Sequence, residues 1–306
     1  MRSAVAKTES VQATAHAATR ARSLESAPAK QGPDDDEAVR PFLKWVGGKR
    51  ALLPVLRAHS PEKFGRYHEP FVGGGAMFFH LSHARMLRKG AVLSDNNERL
   101  VRAYKGVRDA VDRVIALLHD YPHDKDFYLR MRERPIDQHT DAEVAAWLVY
   151  VNRTGFNGLY RVNQQNRFNV PFGDYANPKI CDVTNLRSCS RALQGVEIRC
   201  EPFDLVAERA ERGDFVYFDP PYVPLSTTSS FTSYTASGFG EHHQQKLADV
   251  ARSLKARGVH VLLSNSSAPL VRQLYREGFI TVEVQAARSV NSRGDGRGKI
   301  VELIMR

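Results

Sequence analysis

An α/β fold with a mainly parallel sheet is predicted for this chain by three observations. Residues 66–95 read as strand, glycine turn, helix and strand, and the same alternation resumes after Asp219. The run Phe215-Val216-Tyr217-Phe218 is apolar on both faces and ends at two prolines, as a fully buried strand does. Strands alternating with helices put a parallel sheet between helical layers.

The elements follow in chain order. Residues 1–40 are rich in Ala, Ser, Thr and charge, lack aromatics and carry the acidic run Asp34-Asp35-Asp36-Glu37. So little apolar surface cannot offset ordering entropy, and a disordered tail is expected. Residues 66–71 form a strand, Gly73-Gly74-Gly75 a turn, residues 76–88 a helix and residues 91–94 a short strand ending at Asp95. From residue 97 to about 182 the rhythm changes. Helices are expected at 99–118, 126–134 and 141–151, the last capped by Thr140 or Asp141. A helical block set between strands of one sheet is a candidate inserted domain. Beyond Asp219, helices at 241–257 and 268–277 alternate with strands at 259–264, 279–284 and 299–305.

The tail holds six basic and six acidic residues, so the net charge of +10 falls wholly on residues 41–306. A positive field on the folded part favours a polyanionic partner. Cys181, Cys189 and Cys200 show no C-x-x-C spacing. Neither a disulfide framework nor a zinc site is expected, and a reduced cytoplasmic setting is the default. The tail has no apolar signal core, Glu9 and Glu25 weigh against a transit peptide, and no run approaches a membrane span. No obligate protein partner is indicated.

Asp219-Pro220-Pro221-Tyr222 carries the most chemistry. Neither proline can donate to a ladder, so the strand stops there. A carboxylate, a free proline carbonyl and a ring are left at the carboxyl end of a strand, where open α/β sheets bind ligands. Two acceptors and an aromatic face suit a planar heterocycle bearing an NH2 group.

The segment Glu69-Pro70-Phe71-Val72-Gly73-Gly74-Gly75 lets the backbone approach a ligand, and Asp95 lies where an acid can bind ribose hydroxyls. The spaced third glycine of the dinucleotide fingerprint is missing, which favours a nucleoside-like ligand without a pyrophosphate. Phe42-Leu43-Lys44-Trp45-Val46-Gly47-Gly48-Lys49 lacks P-loop spacing. Residues 152–169 crowd three Arg, five Asn and two Gln among aromatics. Arg pairs with guanine, and Asn or Gln with adenine, through two hydrogen bonds at base edges. A solvated, internally bonded loop would have the same composition.

Taken in this order, these segments resemble the Dam-type (D12 class) adenine-N6 DNA methyltransferases, over residues 41–304. The resemblance implies a Rossmann-like S-adenosylmethionine-dependent methyltransferase sheet, with residues 41–97 and 183–306 as catalytic domain. Residues 98–182 would form an inserted helical target-recognition domain. Trp45, Lys49, Asp95 and Asp219 would line the cofactor site, Phe71, Gly73 and Gly75 would shape it, and Phe203 would lie near the cofactor adenine. Leu159 and Arg161 would read bases and Phe156 would wedge into the duplex. Pro171 and Tyr175 would support base contacts, and Lys44 would reach the first base of the site, which in such enzymes is typically GATC. Thr154 departs from the family, whose members often have an aromatic there, and Asp295 makes the loop at 292–297 less basic than usual.

On this expectation the substrate is an adenine extruded from double-stranded DNA. Asp219 and the Pro220 carbonyl each accept one amino hydrogen, Tyr222 stacks on the base, and no metal is required. The loop at 224–240 is expected to order on DNA. The alternatives are RNA adenine methylation and a catalytically silent DNA-binding regulator on the same fold.

Overall fold

The apolar runs of the sequence pair into one sheet. In the computed structural model, which describes residues 38–223, 239–287 and 299–306, it has seven strands. These are β1 (Tyr67–Glu69), β2 (Ala91–Asp95), β3 (Glu197–Cys200), β4 (Phe215–Phe218), β5 (His260–Ser266), β6 (Thr281–Ala287) and β7 (Lys299–Met305). Their order is β3-β2-β1-β4-β5-β7-β6, parallel from β3 to β5, with β7 antiparallel to both β5 and β6. The expectations for the tail at 1–40, for the loop at 224–240 and for the loop at 292–297 fall wholly or mostly on residues 1–37, 224–238 and 288–298, which lie outside the described residues.

Strand alternation divides the core in two. On β4, Phe215 and Tyr217 join one cluster while Val216 and Phe218 join the other, as a period of two requires. One face is covered by α1 (Leu53–His59), α2 (Ala76–His83), α3 (Glu98–Asp109) and α7 (Val183–Leu193); the other by α8 (Val206–Arg209), α9 (Glu241–Ala256) and α10 (Pro269–Leu274).

Between α3 and α7 run α4 (Val111–His119), α5 (Lys125–Glu133) and α6 (Asp141–Thr154). Thr140 caps α6 in a reciprocal box with Glu143, as S/T-x-x-E patterns do. Helix α6 is apolar almost all round because α3, α4 and α5 all pack on it. Helix α3 also packs against β2, β3 and α7, so the helical block and this face of the sheet share one core.

Two expectations need correction, and two elements stand where none was expected. The single helix at 99–118 is two, broken at Ala110 (φ −144°, ψ 40°), because both halves must pack on α6, a demand that periodicity does not register. Helix α2 ends at His83, earlier than the expected residue 88. Arg85 takes a left-handed φ of 55°, and Met86 N donates to Leu81 O at 3.0 Å, closing the helix end. Helix α7 and strand β3 went unread. β3 is a four-residue edge strand in which only Ile198 is buried, too short and too polar to stand out.

Candidate active site

Strand order reverses at β1. The chain proceeds from β1 to β2 and β3 on one side, and β4 returns on the other. The register Tyr67↔Phe215 and His68↔Val216 therefore brings Glu69-Pro70-Phe71 alongside Tyr217-Phe218-Asp219. Both motifs meet at the carboxyl ends of adjacent strands, at the switch point where doubly wound sheets bind ligands.

The glycine turn is tightly determined. Gly73 and Gly75 have φ of +45° and +68°, and a Cβ at Gly73 would lie 2.8 Å from Trp45 Cδ1. Gly73 N donates to Asp95 Oδ2 at 3.3 Å, and Asn97 N donates to Asp95 Oδ1 at 2.9 Å. Burial pushes the Asp95 carboxyl up to about 6, against the backbone donors of Asn97, Gly73 and Asn96. Phe71 and Phe203 stack with centroids 5.2 Å apart, and Phe239 meets Phe71 edge-on at 5.5 Å. An acid for ribose hydroxyls, aromatic surface for a purine and close-approach backbone between them form a donor set that fits S-adenosylmethionine.

Asp219 sits at the end of β4. Lys49 Nζ lies 2.9 Å from its Oδ1 and also donates to Gly47 O. Ser264 Oγ donates to the same Oδ1 at 2.8 Å, with Tyr217 OH 3.0 Å from Ser264 Oγ. No donor among the described residues reaches Oδ2. Burial raises the Asp219 pKa, while Lys49 and Ser264 oppose the rise. The Pro221 carbonyl accepts from Gln244 Nε2 at 2.9 Å, whereas no described donor reaches the Pro220 carbonyl. Tyr222 is held at both ends: Lys49 Nζ lies 4.5 Å from its ring centroid, and its OH donates to Glu302 Oε2 at 2.6 Å.

The block at 152–175 folds back on itself. Phe156 N donates to Pro171 O at 2.9 Å, Asn169 N to Arg161 O at 3.1 Å and Asn163 N to Arg167 O at 2.9 Å. Three of its side-chain amides serve this fold. Asn163 Oδ1 accepts from Gln165 N and Arg167 N, and Asn166 (φ 57°) closes the tip. Buried Asn152 accepts from Lys44 N and donates to Lys44 O and Gly158 O.

The remaining side chains define an outward face. Phe156 is 44% exposed, Pro171 and Lys44 are exposed, and Leu159 is half-buried against the core. Arg161 is held by Asn169, Nε to Oδ1 at 2.8 Å and a terminal nitrogen to the backbone O at 3.1 Å. Lys44 Nζ stands 5.3 Å from the Tyr175 ring centroid. Thr154, buried, donates to Tyr150 O at 2.7 Å.

Trp45 joins the two regions. It stacks on Tyr160 at 5.6 Å while lying against Gly73. The sequence reading missed Tyr160, Ser264, Glu302, Gln244 and Asn265. The run Ser264-Asn265-Ser266, polar at the end of an apolar strand, was the available signal for two of them. Among the described residues no His, Cys, Asp and Glu group could hold a metal ion, and no helix is long and apolar enough to cross a membrane.

A switch-point site for a nucleoside-bearing cofactor, beside paired acceptors for an amine, belongs to the class of S-adenosylmethionine-dependent methyltransferases. The profile of the D12 class N6 adenine-specific DNA methyltransferases matches residues 45–290, and the chain belongs to that family. It is 44% identical over 275 residues to a type II methyltransferase of Lactococcus lactis subsp. cremoris, covering 87% of this chain and 95% of that protein. To a type II methyltransferase of Methanocaldococcus jannaschii it is 42% identical, covering 87% and 98%. To the DNA adenine methylase of Escherichia coli it is 34% identical, covering 87% and 94%. Among solved structures, an rRNA methyltransferase of Streptomyces viridochromogenes overlaps with a TM-score of 0.28 at 15% identity, covering 82% of this chain and 80% of that one. That overlap is too loose to build on. The protein is thus an adenine-N6 DNA methyltransferase that uses S-adenosylmethionine.

Proposed function

We propose that the enzyme methylates adenine within GATC in double-stranded DNA, with the base extruded into the pocket at Asp219. The observation that carries the chemistry is the division of labour at the strand end. Lys49 and Ser264 both occupy Asp219 Oδ1, which leaves Oδ2, together with the Pro220 carbonyl, for the two hydrogens of an amino group. The adenine amino lone pair is delocalised into the ring. Two fixed acceptors turn the nitrogen out of plane and free that lone pair, so most of the acceleration comes from positioning and preorganised dipoles. When bound, S-adenosylmethionine would supply the electrophilic methyl group and leave as S-adenosylhomocysteine, and the methylated nitrogen would then release one of its hydrogens as a proton to Asp219 Oδ2. In this reading Asp95 holds the ribose hydroxyls, Phe71 and Phe203 offer surface to the cofactor adenine, and Trp45, Gly73 and Gly75 shape the cleft. Tyr222, its hydroxyl tied to Glu302, presents a face to the target base.

Recognition falls to residues 98–182 together with Lys44. Arg161 and Leu159 read base edges, Lys44 reaches the first base beside Tyr175, Pro171 supports the hairpin, and Phe156 fills the gap left by the extruded base. The exposure of Phe156 and the fork of Arg161, prearranged by Asn169, support these roles. The resemblance to Dam-type enzymes supports GATC, and the type II relatives support a place in restriction–modification. Such a protein would work in the cytoplasm, on chromosomal DNA. Unmethylated plasmid incubated with enzyme and cofactor, then mapped at single-nucleotide resolution, tests the proposal. Modified adenines at GATC are expected; another motif would overturn the specificity, and modification of RNA alone would overturn the substrate.

A further inference from the structure

The ladder between β4 and β5 ends at Phe218↔Leu263. Beyond it the chain presents Pro220 and Pro221, which have no N–H to donate, so backbone pairing cannot continue. Side chains of β5 and α9 take over. Ser266 Oγ donates to Val223 O at 2.7 Å, and Val223 N donates to Asn265 Oδ1 at 3.4 Å. Asn265 Nδ2 donates to Gln244 Oε1 at 3.0 Å, and Gln244 Nε2 donates to Pro221 O at 2.9 Å. Gln244 and Asn265 are each 1% exposed, Ser266 5%. Burying two primary amides is costly unless their donors and acceptors are engaged, and here they are engaged with each other and with the strand end.

We propose that Gln244, relayed through Asn265, is a positioning residue for methyl transfer. The two amides lock the backbone from Pro221 to Val223 and thereby fix the direction of the neighbouring Pro220 carbonyl. The inference rests on the reading that this carbonyl holds one amino hydrogen of the target adenine. Both amides are shut off from the surface and act through the peptide groups after Asp219.

The test is single-turnover methyl transfer to a duplex carrying the recognition site, with dissociation constants for S-adenosylmethionine and for the duplex measured in parallel. Gln244→Met keeps the volume and removes both bonds. Gln244→Leu removes both bonds as well, and it decides the matter if the methionine variant does not fold. The expected result is a transfer rate lower by on the order of 10–100-fold with both dissociation constants unchanged. A folded variant that transfers at the wild-type rate overturns the proposal. Loss of cofactor or duplex affinity in step with the rate overturns it too, since that marks a merely structural role. Asp219→Ala run alongside separates the two levels. If it stays active, the reading of the site has failed; if it is inactive while the Gln244 variants keep full rate, only the relay has.

Discussion

Lys49 and Asp219 form an ion pair, Nζ to Oδ1 at 2.9 Å, in which the lysine is buried and the ammonium also faces the Tyr222 ring. Desolvation favours the protonated acid at Asp219, and Lys49 pulls the other way. Only the ionised form offers Oδ2 wholly as an acceptor. Lys49→Met removes the opposing cation, so the carboxyl titrates at higher pH. The acid limb of the single-turnover pH profile should move upward, with a lower rate at neutral pH. A profile that keeps its position would separate Lys49 from the ionisation of Asp219.

Asp219 itself gives a sharper expectation. Asp219→Ala should abolish transfer, because one of the two proposed amino acceptors would be gone and the other could not hold the nitrogen out of plane alone. Duplex affinity, measured by fluorescence anisotropy, should be nearly unchanged, since the proposed DNA contacts lie on the 152–175 block and Lys44. Appreciable turnover by the alanine variant would move the chemistry elsewhere.

What the sequence made legible was whatever short segments encode by themselves. The buried strand at Phe215–Phe218, the turn at Gly73–Gly75 and the acid at Asp95 each depend on local sterics, and all three stand where expected. The parts left unread depend on partners far along the chain. Trp45 stacks on Tyr160, Tyr222 bonds Glu302 and Gln244 bonds Pro221, and none of these pairs has a periodic or compositional trace. Composition left one place open. The crowd of asparagines at 152–169 suited base readers and an internally bonded loop alike, and Asn152, Asn163 and Asn169 spend their side chains on Lys44, the hairpin tip and Arg161, as in such a loop.

Asn169 holds the Arg161 guanidinium, so the base-reading role proposed for Arg161 predicts a graded pair of effects on specificity. Arg161→Ala should cost about 1–3 kcal/mol, concentrated at one base pair of the site. Asn169→Ala removes the Oδ1 partner of Nε but leaves the backbone carbonyl partner, so a smaller loss at that same base pair is expected. Binding measured across single-substituted duplexes checks this. Equal weakening on every sequence would reassign Arg161 to a phosphate.

The role proposed for Asp95 makes cofactor affinity depend on pH. Its carboxyl is raised to about 6 by burial, so it ionises fully only above that value. A carboxylate accepts two ribose hydroxyls better than the neutral acid does. The dissociation constant for S-adenosylmethionine, measured by isothermal titration, should therefore rise as pH falls through about 6. Asp95→Asn should bind more weakly at neutral pH and lose that dependence; an unchanged dependence would assign the titration to another group.

Glu69 sets the last prediction, one of stability. Its carboxyl is buried beneath the glycine turn, where Oε2 accepts from Tyr67 OH at 2.9 Å and from Phe78 N at 3.1 Å. Burial raises it from 4.5 to about 8, and the two donors only partly oppose this. The folded state thus binds this proton more tightly than the unfolded chain. By linkage, the resulting stability is fully present below about 4.5, shrinks as pH rises and is gone above about 8. The thermal midpoint of the wild type should fall as pH rises from about 4.5 to about 8 and level off above that. Glu69→Gln keeps a carbonyl oxygen for Tyr67 and Phe78 and has no proton to lose, so its midpoint should fall less over the same range. Parallel curves for the two proteins would mean that Glu69 is already ionised in the fold, with an unseen partner for its charge.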